Sequence, residues 1–496
     1  MADLPHVPVL RAGVPYRSLK VNTLHDIRTG APVATVSQAG AGMIRRDLLR
    51  KGEHRAALAA VPAEELVRIC EDAARRFAED ALPLAGDGGP GDAHLSPDDY
   101  VELLAATTGM PVALGHANLL KIVDVLSSMR DLVGGLTRGL DLAVIDRGWG
   151  EEGRRMVSYL PQADALGAVL PNNSPGVHGL WPPSLVLKTP LVLKPGSTEP
   201  WTPLRIAQAL RAAGCPPEAM SIYPTDHNGA VQILLHTDRS LFFGDASTVQ
   251  SWAGSGKVQL HGPGWSKVMV AADAAANVDA HVDLVVDSIA RNGGRSCINA
   301  SGVWTVGNGR ALAEAAAAKL AAIEPRALDD PAAQLASFPD PAVAEAVSAM
   351  IDGLVEQDGV EDLTAAHRPG VSRVAVAGGC TFLRPTLLYV DDPNHPAAQT
   401  EFGFPFASVV ELPSNEALFD HLGPTLVGTV ITDDPATRRQ AMACRAIDRL
   451  NLGAIPTFKM SWDQPHEGNL FDHLYQQRAF QAVAGSTDDA AQAAGG

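Results

Sequence analysis

From about Leu166 onward the chain alternates short apolar runs with amphipathic stretches. LGAVLP (166–171) and PLVLKP (190–195) are continuous apolar runs bounded by proline, the pattern of strands buried on both faces. Residues 200–217 place Ile206, Leu210 and Ala213 on one face and end at Gly214 and two prolines, which predicts a helix. MSIYP (220–224), GAVQILLH (229–236), SLFFGD (240–245), STVQSWAG (247–254) and KVQLHG (257–262) continue the alternation. Strands and helices in this order imply right-handed crossovers and a parallel sheet of dinucleotide-binding type.

Elsewhere the pattern is less regular. Residues 16–39 predict an edge hairpin followed by two helical stretches, and residues 142–163 a second hairpin ahead of the sheet. A second α/β region runs from about Ser266 to Asp463. In it, Val282, Val285, Val286 and Ile289 recur at helical spacing, Asn292, Gly293 and Gly294 end that helix, and SGVWTV (301–306) alternates like a strand. Ala-rich residues 309–325 form a helix of high propensity. The last twelve residues, 485–496, are small and polar, the composition of a disordered tail.

At 496 residues the chain is long enough for roughly three compact units. A net charge of −17 with no basic run longer than a pair argues against nucleic-acid and anionic-membrane partners. No secretory signal and no apolar run of membrane-spanning length is visible, so a cytoplasmic location is the expectation. The five cysteines (70, 215, 297, 380 and 444) are scattered and never spaced C-x-x-C, which is neither a disulfide framework nor a metal site.

One cysteine stands apart. Cys70, Cys215, Cys380 and Cys444 read as packed small hydrophobes. Cys297 lies between a helix and a strand in NGGRSC (292–297), where glycines allow close backbone approach and Arg295 offers a cation that would favour the thiolate. Local context leaves it either a nucleophile or a structural residue. Gly86, Gly88 and Gly91 satisfy G-x-G-x-x-G literally, but no strand precedes them and no helix follows, so they read as a solvent loop. Trp181, Trp252, Trp265 and Trp462 read as packing residues rather than as a substrate lining.

Taken together, the motifs resemble the aldehyde dehydrogenase superfamily over most of the chain. NGGRSC resembles the family's Asn-x-Gly-x-x-Cys loop. LPNNSPGVHGLWPPSLVLKTPLVLKPGSTEP (170–200) resembles its Pro-x-Asn-x-Pro turn, helix and Lys-Pro strand. SLFFGD stands where the family has Phe-x-Gly-Ser, and TEFGFPF (400–406) resembles Glu-x-x-x-Pro. The resemblance implies that Cys297 forms a thiohemiacetal and then a thioester, and that Asn173 and the Cys297 N–H stabilise the oxyanion. It also implies a cofactor site at Pro171, Lys194, Ser197, Gly244, Asp245 and Glu401, with Lys194 on the adenosine ribose and Glu401 on the nicotinamide ribose. Ser197, where a glutamate would repel a 2′-phosphate, admits NADP as well as NAD.

Departures accompany it. VQLHGPGWSK (258–267) lacks the glutamate that activates water in hydrolytic members. Aligning on the glycine pair and Ser266 puts His261 at that position, and a register two residues earlier puts Gln259 there. His261 reads as a base, as a residue orienting the cofactor, or as a turn histidine. GPG resembles the CoA-acylating aldehyde dehydrogenases, so CoA is a possible co-substrate and an acyl thioester a possible substrate. Asp245 replaces the usual serine and would repel a pyrophosphate unless its side chain turns away. Thr225 replaces a glycine, and residues 453–475 lack the usual Gly-Gly-Tyr-Lys run.

The expected fold is therefore α/β and aldehyde dehydrogenase-like. A Rossmann-type cofactor domain takes 1–141 and 164–265, a catalytic domain takes 266–463, and 142–163 with 464–484 form an oligomerisation arm of a homodimer or homotetramer. The expected activity is NAD(P)-dependent aldehyde oxidation, with release of the acyl group to water or CoA. The rivals are an acyl-CoA reductase running the same chemistry backwards, a non-catalytic scaffold, and a cysteine hydrolase.

Overall fold

The computed structural model describes residues 4–153 and 155–483. The apolar runs become β1 (Leu166–Val169), β2 (Leu191–Lys194), β3 (Met220–Ile222), β4 (Arg239–Phe243) and β5 (Val258–His261). All five are parallel, in the order β5-β4-β1-β2-β3. The helices Trp201–Ala212 and His227–His236 supply crossovers, as the periodicity requires. The chain runs outward from β1 to β3, then returns to the far side of β1 for β4 and β5. Ligands of open α/β sheets bind beyond the carboxyl ends of the strands at such a switch point. Here those ends lead into Pro171–Ser174 and Gly244–Asp245.

A second sheet carries β6 (Ser266–Val270), β7 (Ala300–Thr305), β8 (Thr386–Val390), β9 (Phe406–Glu411), β10 (Thr425–Ile431) and β11 (Ile447–Leu452). They are parallel in the order β8-β9-β7-β6-β10-β11, with Val360–Asp362 antiparallel on the β8 edge. Every residue of β6, β7 and β10 is buried, as in strands covered on both faces, so the alternation read in residues 301–306 does not mark a wet face.

The N-terminal third differs from expectation. Residues 16–39 do form a hairpin, Val21–His25 with Pro32–Ser37, but it joins His6–Val7 in a separate three-stranded sheet. The edge of the cofactor sheet is instead Val9–Arg11 with Val14–Tyr16. Val21–His25 is almost wholly exposed, which suits a small sheet with one wet face and not a strand under crossover helices. Six helices rather than two follow before residue 137, among them α1 (Val112–Ser127). Within 142–163, Trp149–Glu152 pairs with Arg155–Pro161, on which Tyr475–Arg478 adds a third antiparallel strand. The Gly86–Gly91 loop is closed by Asp92, whose carboxylate accepts from the N–H groups of Ala85, Gly86 and Gly88. Among the described residues no single helix is long and apolar enough to cross a membrane; α1 and Met129–Leu136 together are, but they meet at 64°. Residues 485–496 lie outside the described residues.

Candidate active site

The loop that carries Cys297 follows α2 (Asp279–Ala290). Asn292, Gly293 and Gly294 adopt φ of 56°, 65° and 71°, which stops the helix and turns the chain. At Gly294 a Cβ would overlap the Phe404 and Pro405 backbone, so only glycine fits. Polar side chains then pin the loop. Asn292 Oδ1 accepts from Asn118 Nδ2 (2.7 Å), and Asn292 Nδ2 donates to Ser174 Oγ (3.0 Å) and Ser296 Oγ (3.1 Å). Asn299 Oδ1 accepts from the Ser296 N–H, and its Nδ2 donates to the Ser288 and Arg291 carbonyls. From the facing strand, Ser266 Oγ donates to the Cys297 carbonyl (2.9 Å), and a Cβ at Gly264 would overlap that same carbonyl.

Cys297 opens into a pocket lined by Lys121, Ser174, Gly176, Phe243, His466 and Glu467 among others. Burial pushes its thiol up to about 12, the Glu467 and Glu401 carboxylates adding to the effect and the Lys121 ammonium opposing it. The resting residue is a thiol, so nucleophilic attack requires a base within the pocket. Arg295 does not supply the cation read for it in the sequence. Its guanidinium turns away and donates to the Thr108 carbonyl (2.7 Å) and to that of Ser337, because it is the buried tie between this loop and the segments beneath it. Lys121, on α1, takes the place next to the thiol.

The remaining sequence-derived residues fall around the ends of the strands. Asn173 is exposed in the turn after β1, and its Nδ2 donates to the Arg295 carbonyl at 3.0 Å, two residues from Cys297. An amide carries two N–H groups, so one stays uncommitted. The Pro171 carbonyl packs beside Gly196, where a Cβ would collide with Asn172 Oδ1. Asn172 Nδ2 donates to Ser197 Oγ (3.3 Å) and its Oδ1 accepts from the Thr198 N–H. Lys194, half-buried at the end of β2, has no carboxylate partner among the described residues, and burial lowers its pKa. Glu401 is tied to the loop before β6, accepting from the Gly264 N–H (3.1 Å) and the Trp265 N–H (2.6 Å). Burial raises it to about 7 despite those bonds and nearby Lys267.

These groups fit a nicotinamide dinucleotide through Lys194, a cation at the strand ends with no ion-pair partner among the described residues, and Ser197, whose hydroxyl meets the Asn172 amide and not a carboxylate among those residues. The pyrophosphate end fits less well. The Gly244 N–H is spent on the His261 carbonyl (3.1 Å). Asp245 turns back into the short helix Ala246–Gln250, accepting from Ser247 Oγ, the Thr248 N–H and Thr248 Oγ1. Those bonds depress it to about 2, so the charge is permanent at neutral pH. Thr225 Oγ1 donates to the Ala39 carbonyl and fills the space over Gly229.

His261 ends β5. Its Nδ1 is hydrogen-bonded to the Glu467 carboxylate, its ring stacks on Phe243 at 4.4 Å, and its buried Nε2 has no partner among the described residues. A carboxylate can only accept, so Nδ1 carries a proton, and it is the neutral ring that presents a lone pair at Nε2. Gln259 is committed elsewhere, donating to the Glu467 carbonyl. Sequence reasoning missed Glu467, Lys121, Phe243 and Ser174. Only HEG (466–468), inside an atypical C-terminal stretch, marked the first of these. Two packing assignments also change. Trp462 lines the pocket, with Nε1 on Asp124 (2.5 Å), and Cys444 is only half-buried because it ends an exposed helix.

The family model described as "Aldehyde dehydrogenase family" matches residues 95–457. No curated protein matches the chain. Among solved structures it is similar to an NAD-dependent aldehyde dehydrogenase from Sinorhizobium meliloti, with 18% identity, 97% of this chain and 95% of that one covered, and a TM-score of 0.78. It is similar to the aldehyde dehydrogenase KauB from Pseudomonas aeruginosa, with 16% identity, 96% of each chain and a TM-score of 0.77. A mutant of P. syringae AldA indole-3-acetaldehyde dehydrogenase, in complex with NAD+ and IAA, shares 18% identity over 95% of each chain, with a TM-score of 0.74. With the parallel sheets and the Cys297 loop already in view, the match over most of its length means that the chain belongs to the aldehyde dehydrogenase family, oxidoreductases that act on aldehydes with NAD(P).

Proposed function

We propose that this chain oxidises an aldehyde through a thioester on Cys297 and releases the acyl group to water. The observation that carries the reading is that Glu467, paired to His261, lines the same pocket as Cys297. Sγ of Cys297 adds to the carbonyl carbon, and the thiol proton passes to the Glu467–His261 pair. The developing oxyanion is met by the Cys297 N–H and by the free N–H of Asn173. The chemistry that a bound nicotinamide supplies is acceptance of the hydride that leaves the former carbonyl carbon. Lys194 and Ser197 would hold the adenosine side of that cofactor, and Ser197 excludes neither NAD nor NADP. The pair loses the thiol proton to solvent; water then attacks the thioester carbon as the Glu467 carboxylate, held by His261 Nδ1–H, removes its proton, and collapse of the adduct expels the Cys297 thiolate, which the pair reprotonates.

This reading answers the absent glutamate of residues 258–267, because a carboxylate reaches the pocket from another part of the chain. It is tested by following reduced-cofactor formation with NAD or NADP, with and without CoA. Turnover without CoA is expected, and turnover that requires CoA would overturn release to water. Glu467→Gln is expected to slow the burst as well as the steady state, the steady state by about 10²–10⁴-fold. A steady state within a few-fold of the native protein's would remove Glu467 from the release step.

A further inference from the structure

The mouth of the Cys297 pocket is a basic island in an acidic protein. It is lined by α1, the Cys297 loop and residues 458–462, and shares Lys121, Ser296, Ile298, Met460 and Trp462 with the pocket itself, so the two are continuous. Three cations face it: Lys121, Arg291 and Lys459. None has a carboxylate partner among the described residues, in a chain whose net charge is −17 and in which Arg11, Arg17, Arg28, Arg130 and Arg310 are each paired with an aspartate or glutamate. The one carboxylate of the lining, Asp124, accepts from Trp462 Nε1. The Arg291 guanidinium lies over the Phe458 ring at 5.2 Å, which orients it without neutralising it. Lys121 is half-buried beside Gly176, where a Cβ would stand 3.1 Å from Nζ, and its charge reaches Cys297.

A partly buried ammonium without a counter-charge costs free energy unless a ligand supplies one. From this arrangement we infer that the substrate is an aldehyde carrying a carboxylate at its far end, an oxo acid. The aldehyde carbon reaches Cys297 while the carboxylate lies between Lys121 and Arg291. Arg291 offers the planar fork that suits a carboxylate, and Lys121 offers a point charge deeper in the channel. Lys459, at the rim, adds attraction during approach. The inference rests on the dehydrogenase reading above and names the substrate class of the same site.

The test compares kcat/KM for a chain-length series of oxo acids with that for their methyl esters, which keep shape and lose charge. At the best length the acid is expected to exceed its ester by about ten- to a hundredfold, the range of a hydrogen bond to a charged group. Lys121→Met and Arg291→Gln should each collapse that ratio, mainly through KM for the acid. Equal kcat/KM for acid and ester in the native protein would overturn the inference while leaving the dehydrogenase reading intact. A binding readout separates the two readings without turnover: a dicarboxylate should slow alkylation of Cys297 by iodoacetamide, and the matching diamide should not. Protection by the dicarboxylate without oxidation of any aldehyde would uphold the anion site and defeat the dehydrogenase reading. Equal protection by both, or by neither, would overturn the anion site.

Discussion

The two walls of the Cys297 pocket are built in different ways. One wall, the turn 171–176 and the loop 292–297, is held by a dense lattice in which Asn118, Asn292, Ser174, Ser296 and Asn299 bond to one another and to backbone. The other, residues 457–468, is an irregular segment tied by a few side-chain contacts: Trp462 to Asp124, His466 to Arg449, Glu467 to His261 and Gln259. Oxyanion stabilisation depends on donors held within a fraction of an ångström, and it belongs on the first wall. In the function proposed above, water activation falls to the second, through Glu467, while the cations proposed to select the substrate, Lys121 and Arg291, lie outside it.

Substitutions sharpen that contrast. On the pinned wall, Asn173→Ala is expected to lower kcat by about 10²–10³-fold with little change in KM, the loss typical of one oxyanion donor. A fall in KM affinity without a fall in kcat would move Asn173 out of the oxyanion site. The next effect is on the thiol. Because its pKa is pushed up to about 12, Cys297 stays protonated through the neutral range, and its alkylation by iodoacetamide should rise about tenfold per pH unit from roughly pH 7 to pH 10 without a plateau. A plateau below about pH 9 would mean that a cation already holds the thiolate. Smallest is the packing term. Gly264→Ala would force the Cys297 carbonyl to move, and should cost about 1–3 kcal/mol of stability by denaturant unfolding. An unchanged midpoint would show that the first wall is not held by this contact.

Glu401 gives the comparison a pH sign. Its folded pKa of about 7 lies above the ordinary carboxyl value, so the native state holds a proton that the unfolded chain has already lost at lower pH. Its contribution to stability is therefore full in acid and is lost as pH rises from roughly 4.5 through 7. Glu401→Gln should flatten that part of the stability profile.

Much of this was legible in the sequence because the signals are local. The five strands of the cofactor sheet, the helix over 279–290 and its stop at Asn292–Gly294 follow from periodicity and from the few residues that accept positive φ. The Cys297 loop was readable for the same reason. The N-terminal sheet was not: which of two adjacent hairpins joins the cofactor sheet depends on which is left exposed, and the two have similar local patterns.

Arg295 shows the limit most plainly. Sequence proximity to Cys297 suggested an activating cation, yet a side chain two residues away on a tight turn points the other way and serves the fold. The cation beside the thiol is Lys121, from a helix 176 positions earlier in the chain, and the carboxylate on His261 comes from 206 positions later. Sequence alone determined the strands of the cofactor sheet, the loop that carries Cys297 and the absence of a glutamate in residues 258–267. Only the tertiary structure decided which charges surround that loop, since charge acts through space and its partners need share no spacing along the chain.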